Sequence, residues 1–162
     1  MLALRYAALV ALVIWLGGLV TLGGIAAPAV FDVMALRHVP DGRLVAGAVF
    51  GEILRRYFLL SYACGGLLLL TLLVRAVLGP RPRRFAWRAA VAVLMLSATA
   101  YSGLVIADRI ARLQETTNVS PSSLPASDPR RVEFEHLHAM STTIQLVPLL
   151  GGLALIYWEL KE

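Results

Sequence analysis

The sequence predicts an all-α integral membrane protein, a four-helix bundle with an additional interfacial helical segment before span two. Three observations predict it. The chain of 162 residues is 59% hydrophobic and 15% charged, with a mean hydropathy of +0.75, against roughly 45–50% apolar and about 25% charged in soluble domains. Its charges are clustered, leaving four long stretches that are almost free of them. A bilayer-spanning helix needs about 20 apolar residues, so four spans consume most of the chain and leave only short connections. That arithmetic excludes a soluble enzyme, a disordered tail and a disulfide-knit secreted domain.

The first span is expected over residues 4–30. Arg5 ahead of it and Ala26-Ala27 near its end mimic a secretory signal. Its apolar stretch is longer than a signal core, so the helix is read as uncleaved. Gly17, Thr21, Gly24 and Pro28 recur at i, i+4, i+7 and i+11. Small residues on one face let membrane helices approach closely. Packing within the bundle is the first expectation for this face, and a homo-oligomer contact the second.

The connection to span two is expected to be partly helical. Asp41 is placed to cap a helix starting near Gly42, and Leu44, Val45, Ala48, Val49 and Ile53 follow at helical spacing. This segment either lies along the interface or runs directly into span two. Glu52 is spaced to pair with Arg55 or Arg56. Span two is expected over 57–78 and holds Cys64, the only cysteine, read as a buried spectator thiol.

Gly79-Pro80-Arg81-Pro82-Arg83-Arg84 forces a tight hairpin into span three, expected over 86–107. From Arg75 through Arg88 there are five arginines and no acid, whereas residues 108–135 carry four arginines against five acids. The positive-inside rule therefore puts the hairpin and both termini in the cytoplasm, most simply of a bacterial inner membrane. Arg75 and Arg88 are expected to snorkel to the headgroups. Trp87, Tyr157 and Trp158 fit an aromatic belt at that side. The net charge of +5 is explained by this asymmetry, and no nucleic-acid partner is expected.

Residues 116–125 are rich in Ser, Thr and Pro and are expected to be mobile or ordered only by a partner. Asn118-Val119-Ser120 matches a glycosylation sequon and carries no weight. Span four is expected over 139–158. On it, His138, Ser141, Thr142 and Gln145 form one polar stripe, and on span three Ser97, Tyr101 and Asp108 form another. If the stripes face each other, Asp108, His138, Gln145 and Tyr101 line a polar site at the non-cytoplasmic end. The plainer expectation is interhelical hydrogen bonding.

His136, His138 and Met140 offer a copper(I)-type donor set. They converge only if the segment is extended, because residues two apart on a helix diverge. Haem ligation by His138 needs a second axial ligand or an open position. No cofactor is expected, with copper or haem as the alternative. There is no nucleophile–base set, phosphate loop or HExxH motif. The expected function is a non-enzymatic accessory or scaffold subunit in the lipid bilayer, with a membrane-protein partner or a homo-oligomer. The alternative is a small-ligand or metal-handling protein.

Trp15-Leu16-Gly17-Gly18, Ala27-Pro28-Ala29-Val30-Phe31, Gly42-Arg43-Leu44-Val45-Ala46-Gly47 and Phe134-Glu135-His136-Leu137-His138-Ala139-Met140-Ser141 together carry a family likeness. The chain resembles the transmembrane protein 205-like family, small four-span proteins of unknown function, over nearly its whole length. The resemblance implies a four-span fold and marks Gly17, Gly18, Pro28, Phe31, Phe134 and His138 as pattern positions. That family often has asparagine where this chain has Gln145. A weaker resemblance links the chain to copper-resistance membrane domains. Neither supplies a reaction.

Overall fold

The protein is described by a computed structural model covering residues 2–79, 82–117 and 120–161. The centre of the hairpin, Pro80-Arg81, and most of the sequon, Asn118-Val119, lie outside the described residues. Of the described residues 88% are helical and none lies in a strand. Four helices are long and apolar enough to cross a membrane: α1 (Leu2–Leu36), α2 (Gly42–Leu78), α3 (Phe85–Glu115) and α4 (Pro129–Leu160).

Each helix packs against its sequence neighbours, and α4 closes the ring against α1. This is the up-down-up-down bundle that short connections favour. The core is a stack of Ala8, Leu12, Trp15, Tyr57, Phe58, Leu68, Leu72, Ala92, Met95 and Leu155. Leucines and valines also crowd the outside, including Val13, Leu59, Leu70, Leu94 and Leu153. An apolar exterior of that kind suits lipid.

The charges bracket an uncharged slab. Nineteen positions separate Arg56 from Arg75 on α2, twenty separate Arg88 from Asp108 on α3, and twenty-one separate His138 from Glu159 on α4. At 1.5 Å per residue that is about 30 Å, the thickness of a hydrocarbon core. Beyond Arg56, Asp108 and His138 the helices continue into a polar cap, at the end opposite the termini.

The segment before span two runs straight into it, so Gly42–Leu78 is one helix of 37 residues. Glu52 there accepts from both Arg55 and Arg56, at 2.8 and 2.7 Å. The helix begins where expected, but Asp41 does not cap it through its side chain. Its φ of 53° is left-handed, and its backbone carbonyl instead accepts from the amides of Leu44 and Val45.

Three helices are irregular. In α1 the turn Leu22–Ala26 is widened, with the Ala27 amide bonded to the Leu22 carbonyl five residues back. Pro28 explains it, since its ring lacks a donor for Gly24 and crowds that carbonyl. A similar wide turn, Ser102–Ile106, interrupts α3. In α4, Gln145 breaks the helix between Ile144 and Leu146. Pro148 lies three residues on and leaves the Ile144 carbonyl without its usual donor.

Residues 120–128 are folded back on α4. Pro121 is buried, a short turn spans Pro121–Ser123, and Arg131 Nη1 donates to the Leu124 carbonyl at 2.9 Å. Asp128 caps α4 by accepting from the Arg130 amide at 2.9 Å.

Candidate functional site

The polar interior lies where the breaks in α3 and α4 meet. On α3 the buried positions step through Arg88, Ala92, Met95, Thr99, Ser102 and Ile106. This alternation of threes and fours is the repeat of a helix facing its neighbours. Ser102 Oγ lies 3.0 Å from Ser141 Oγ, and Gln145 Nε2 donates to Ser102 Oγ at 3.3 Å. The carbonyl oxygen of Gln145 is buried and has no partner among the described residues, and the hydroxyl of Thr99 shares that condition. On α2, Tyr57 Oη donates to the Trp15 carbonyl at 2.9 Å.

Of the sequence-level site residues, the structure brings Gln145 and Ser141 into this cluster. It leaves Tyr101 and Ser97 on the outer face of α3. The partner of the α4 stripe is Ser102, one position past Tyr101, which sequence reading missed. No hydrogen bond or ion pair joins Asp108 and His138 among the described residues. Asp108 accepts from Arg112 Nε at 2.9 Å, one turn along its own helix, and is exposed. His138 is exposed and stacks on Phe134 at 6.2 Å between ring centroids.

The copper-type set also stays apart. Its segment is helical within Pro129–Ile144, so His136 and His138 point to different sides. Among the described residues, no three His, Cys, Asp or Glu side chains are grouped to hold a metal ion.

The small-residue stripe of span one faces outward. A Cβ added at Gly17 or Gly24 would meet nothing within 4 Å, and Thr21 and Pro28 are exposed. The expectation that this stripe packs inside the bundle is corrected. Close helix approach depends instead on Gly18, Gly65, Gly103, Gly151 and Gly152. At Gly152 an added Cβ would collide with Leu16 Cδ1, and at Gly103 it would collide with Tyr62 Oη. The error has a physical source: in lipid both faces of a helix are apolar, so hydropathy does not say which one turns inward.

A second cluster was not anticipated. Arg75 and Arg88 do not snorkel outward; they are 5% and 3% exposed and turn into the bundle. Both guanidiniums reach Glu159 Oε1, Arg75 through Nη1 and Arg88 at 3.2 Å. Arg88 also donates to the Trp158 carbonyl at 2.7 Å, and Arg5 Nη2 donates to the Glu159 carbonyl at 2.5 Å. Glu159 is 3% exposed. The signal was present in the sequence: Glu159 is the one acid within the last apolar run, at the depth of the two arginines.

A four-helix bundle with an apolar exterior, charged ends about 30 Å apart and a polar layer inside defines a four-span membrane protein. Within that class the chain belongs to a family described as a domain of unknown function, DUF4149, which it matches over residues 10–118. No curated protein and no solved structure matches it. The matched segment carries most of α1 and all of α2 and α3, so Ser102 falls inside it, whereas Gln145 and Glu159 fall outside.

Proposed function

We propose that the chain is a non-enzymatic membrane protein that handles a small polar ligand at the layer formed by Ser102, Ser141 and Gln145. One observation carries this reading: the Gln145 carbonyl oxygen is buried without a donor. An unmet buried acceptor costs roughly 1–3 kcal/mol and calls for a water, ion or ligand to meet it. The broken turn of α4 supports the reading, because irregular backbone at membrane depth is tolerated where it lines a site. The layer offers hydroxyl and amide groups and no ionised side chain, so it suits a neutral hydrogen-bond donor. Native mass spectrometry of protein extracted in mild detergent tests it. A small-molecule mass on wild type that is lost in Gln145→Leu is expected; a bare mass for both sinks the reading.

A second reading has its own observation. The outward face of Gly17, Thr21 and Gly24 has nothing packed on it, which favours an accessory subunit seated against another membrane protein. Stoichiometric co-purification lost in Gly17→Leu supports it. A monomer alone after mild extraction does not.

On either reading the termini face the cytoplasm of a bacterial inner membrane, because the 75–88 region holds arginines and no acid. Cysteines placed at Arg83 and Ser122 in a Cys64→Ser background test this. Labelling from outside at Ser122 alone is expected, and labelling at Arg83 alone inverts the topology. The resemblance that marks Gly17, Gly18, Pro28 and Phe31 as pattern positions favours grouping the chain with transmembrane protein 205-like proteins.

A further inference from the structure

A groove of about 480 Å³ lies in the polar cap, between the end of α1, the start of α2 and the connection before α4. Asp32, His38, Arg43 and Ser122 line it, with Met34 and Val39 among its apolar walls. Its volume falls in the range of small-molecule sites, roughly 300–1,000 Å³. The turn that shapes it is tight. His38 and Asp41 both adopt left-handed backbone, and a Cβ at Gly42 would sit 3.3 Å from the Met34 carbonyl.

The charges in this groove are unused. No hydrogen bond or ion pair is made by the side chains of Asp32 or Arg43 among the described residues, although elsewhere in the cap Glu52, Asp108, Asp128 and Glu135 all have arginine partners. Asp32 and Arg43 border the same space without bridging it. A carboxylate and a guanidinium that line one groove without pairing are complementary to a molecule with an ammonium at one end and an acid group at the other. A simple anion would be repelled by Asp32, and a simple amine by Arg43.

We propose that this groove binds a small zwitterion, its ammonium on Asp32 and its acid group on Arg43. Met34 and Val39 contact the carbon chain between the two charges, and Ser122 supplies a further hydrogen bond. The site is separate from the Ser102–Gln145 layer and does not depend on it. Arg43 lies thirteen residues beyond Arg56 along α2, about 20 Å past the hydrocarbon edge. Headgroups extend only about 5–7 Å beyond that edge, so the ligand comes from solution rather than from a lipid.

Titration calorimetry of the full chain in nanodiscs tests the proposal. The probes are ω-amino carboxylates of two to six carbons, with alkyl carboxylates and alkylamines of matching length as controls. One chain length is expected to bind at least tenfold more tightly than either control. Asp32→Asn and Arg43→Gln are each expected to abolish that preference, with the melting temperature unchanged because both side chains are exposed. Nanodiscs with and without phosphatidylethanolamine separate the sources. Competition by that lipid overturns the soluble assignment. Absence of binding at 10 mM, or binding that both variants retain, overturns the site.

Discussion

Arg88 holds Glu159 and Trp158 at once, its Nη1 lying 3.2 Å from the Glu159 carboxylate and its Nη2 2.7 Å from the Trp158 carbonyl. One guanidinium thereby ties the start of α3 to the last turn of α4. Arg75 brings the end of α2 to the same carboxylate, and Arg5 adds the start of α1. All four helices thus meet at one acid. Arginine suits this duty, because its planar fork serves several acceptors and it stays charged.

Removing that acid should loosen the whole termini end. Glu159→Gln keeps the side-chain volume and deletes the charge shared by two buried guanidiniums. Breaking a buried pair from one side costs about 3–5 kcal/mol, and a loss of that order is expected in equilibrium unfolding in mixed micelles. Arg5→Gln should cost less, since the Arg5 side chain is 30% exposed. A Glu159→Gln variant as stable as wild type would show that the cluster does not brace the bundle.

Glycine substitutions should divide by face. At Gly103 a methyl group would press on Tyr62 and the buried Phe58 ring, the latter at 2.8 Å. Overpacking of that kind costs about 1–3 kcal/mol. Gly17→Ala meets open space and should be neutral or gain up to about 1 kcal/mol from helix propensity. Melting temperatures of the two variants, measured side by side, check the contrast. Equal losses at both positions would mean that the Gly17 face is also covered.

These two faces show how far the sequence was readable. The four helices follow from gaps between charges, because crossing a bilayer requires an apolar run whatever surrounds it. Gln145 and Ser141 were legible as a pair, since positions four apart share a helix face. Ser102 was not, because Ser97 and Tyr101 form an equally regular stripe on the same helix. Water normally marks the outer face of a helix by its polar residues; lipid removes that mark. Glu159 went unread for a different reason. Its meaning lies in Arg75 and Arg88, which are 84 and 71 positions away and converge only in the folded bundle.

The acid limb of stability should pass partly through Asp128. Its carboxylate accepts from the Arg130 amide at 2.9 Å and from the Arg130 guanidinium at 2.8 Å. Those bonds hold its pKa below the ordinary 3.8, the side-chain contact contributing most. A depressed pKa means that the folded state favours the charged form. The contribution is therefore complete above about pH 5 and fades as pH falls below about 4. Asparagine caps a helix nearly as well, so Asp128→Asn removes the charge and keeps the cap. Melting temperature against pH should show wild type ahead at neutral pH and the two curves converging below pH 4. A constant offset down to pH 3 would contradict the assignment.

His138 and Asp108 supply the last prediction. Both lie at the outer edge of the apolar slab, and helical spacing alone makes them candidates for a charge pair. The structure gives each a different neighbour: Arg112 for Asp108 and the Phe134 ring for His138. Two sites that share no partner contribute to stability independently. His138→Leu should cost little, because the imidazole is exposed and leucine also packs on a phenylalanine ring. Asp108→Asn should lose only an exposed i,i+4 pair, worth about 0.3–0.5 kcal/mol. The double variant should then equal the sum of the two within about 0.5 kcal/mol. Melts of the two singles and the double in one detergent check this. If Asp108→Asn instead recovers stability lost in His138→Leu, the two side chains interact and the independence of the two sites is refuted.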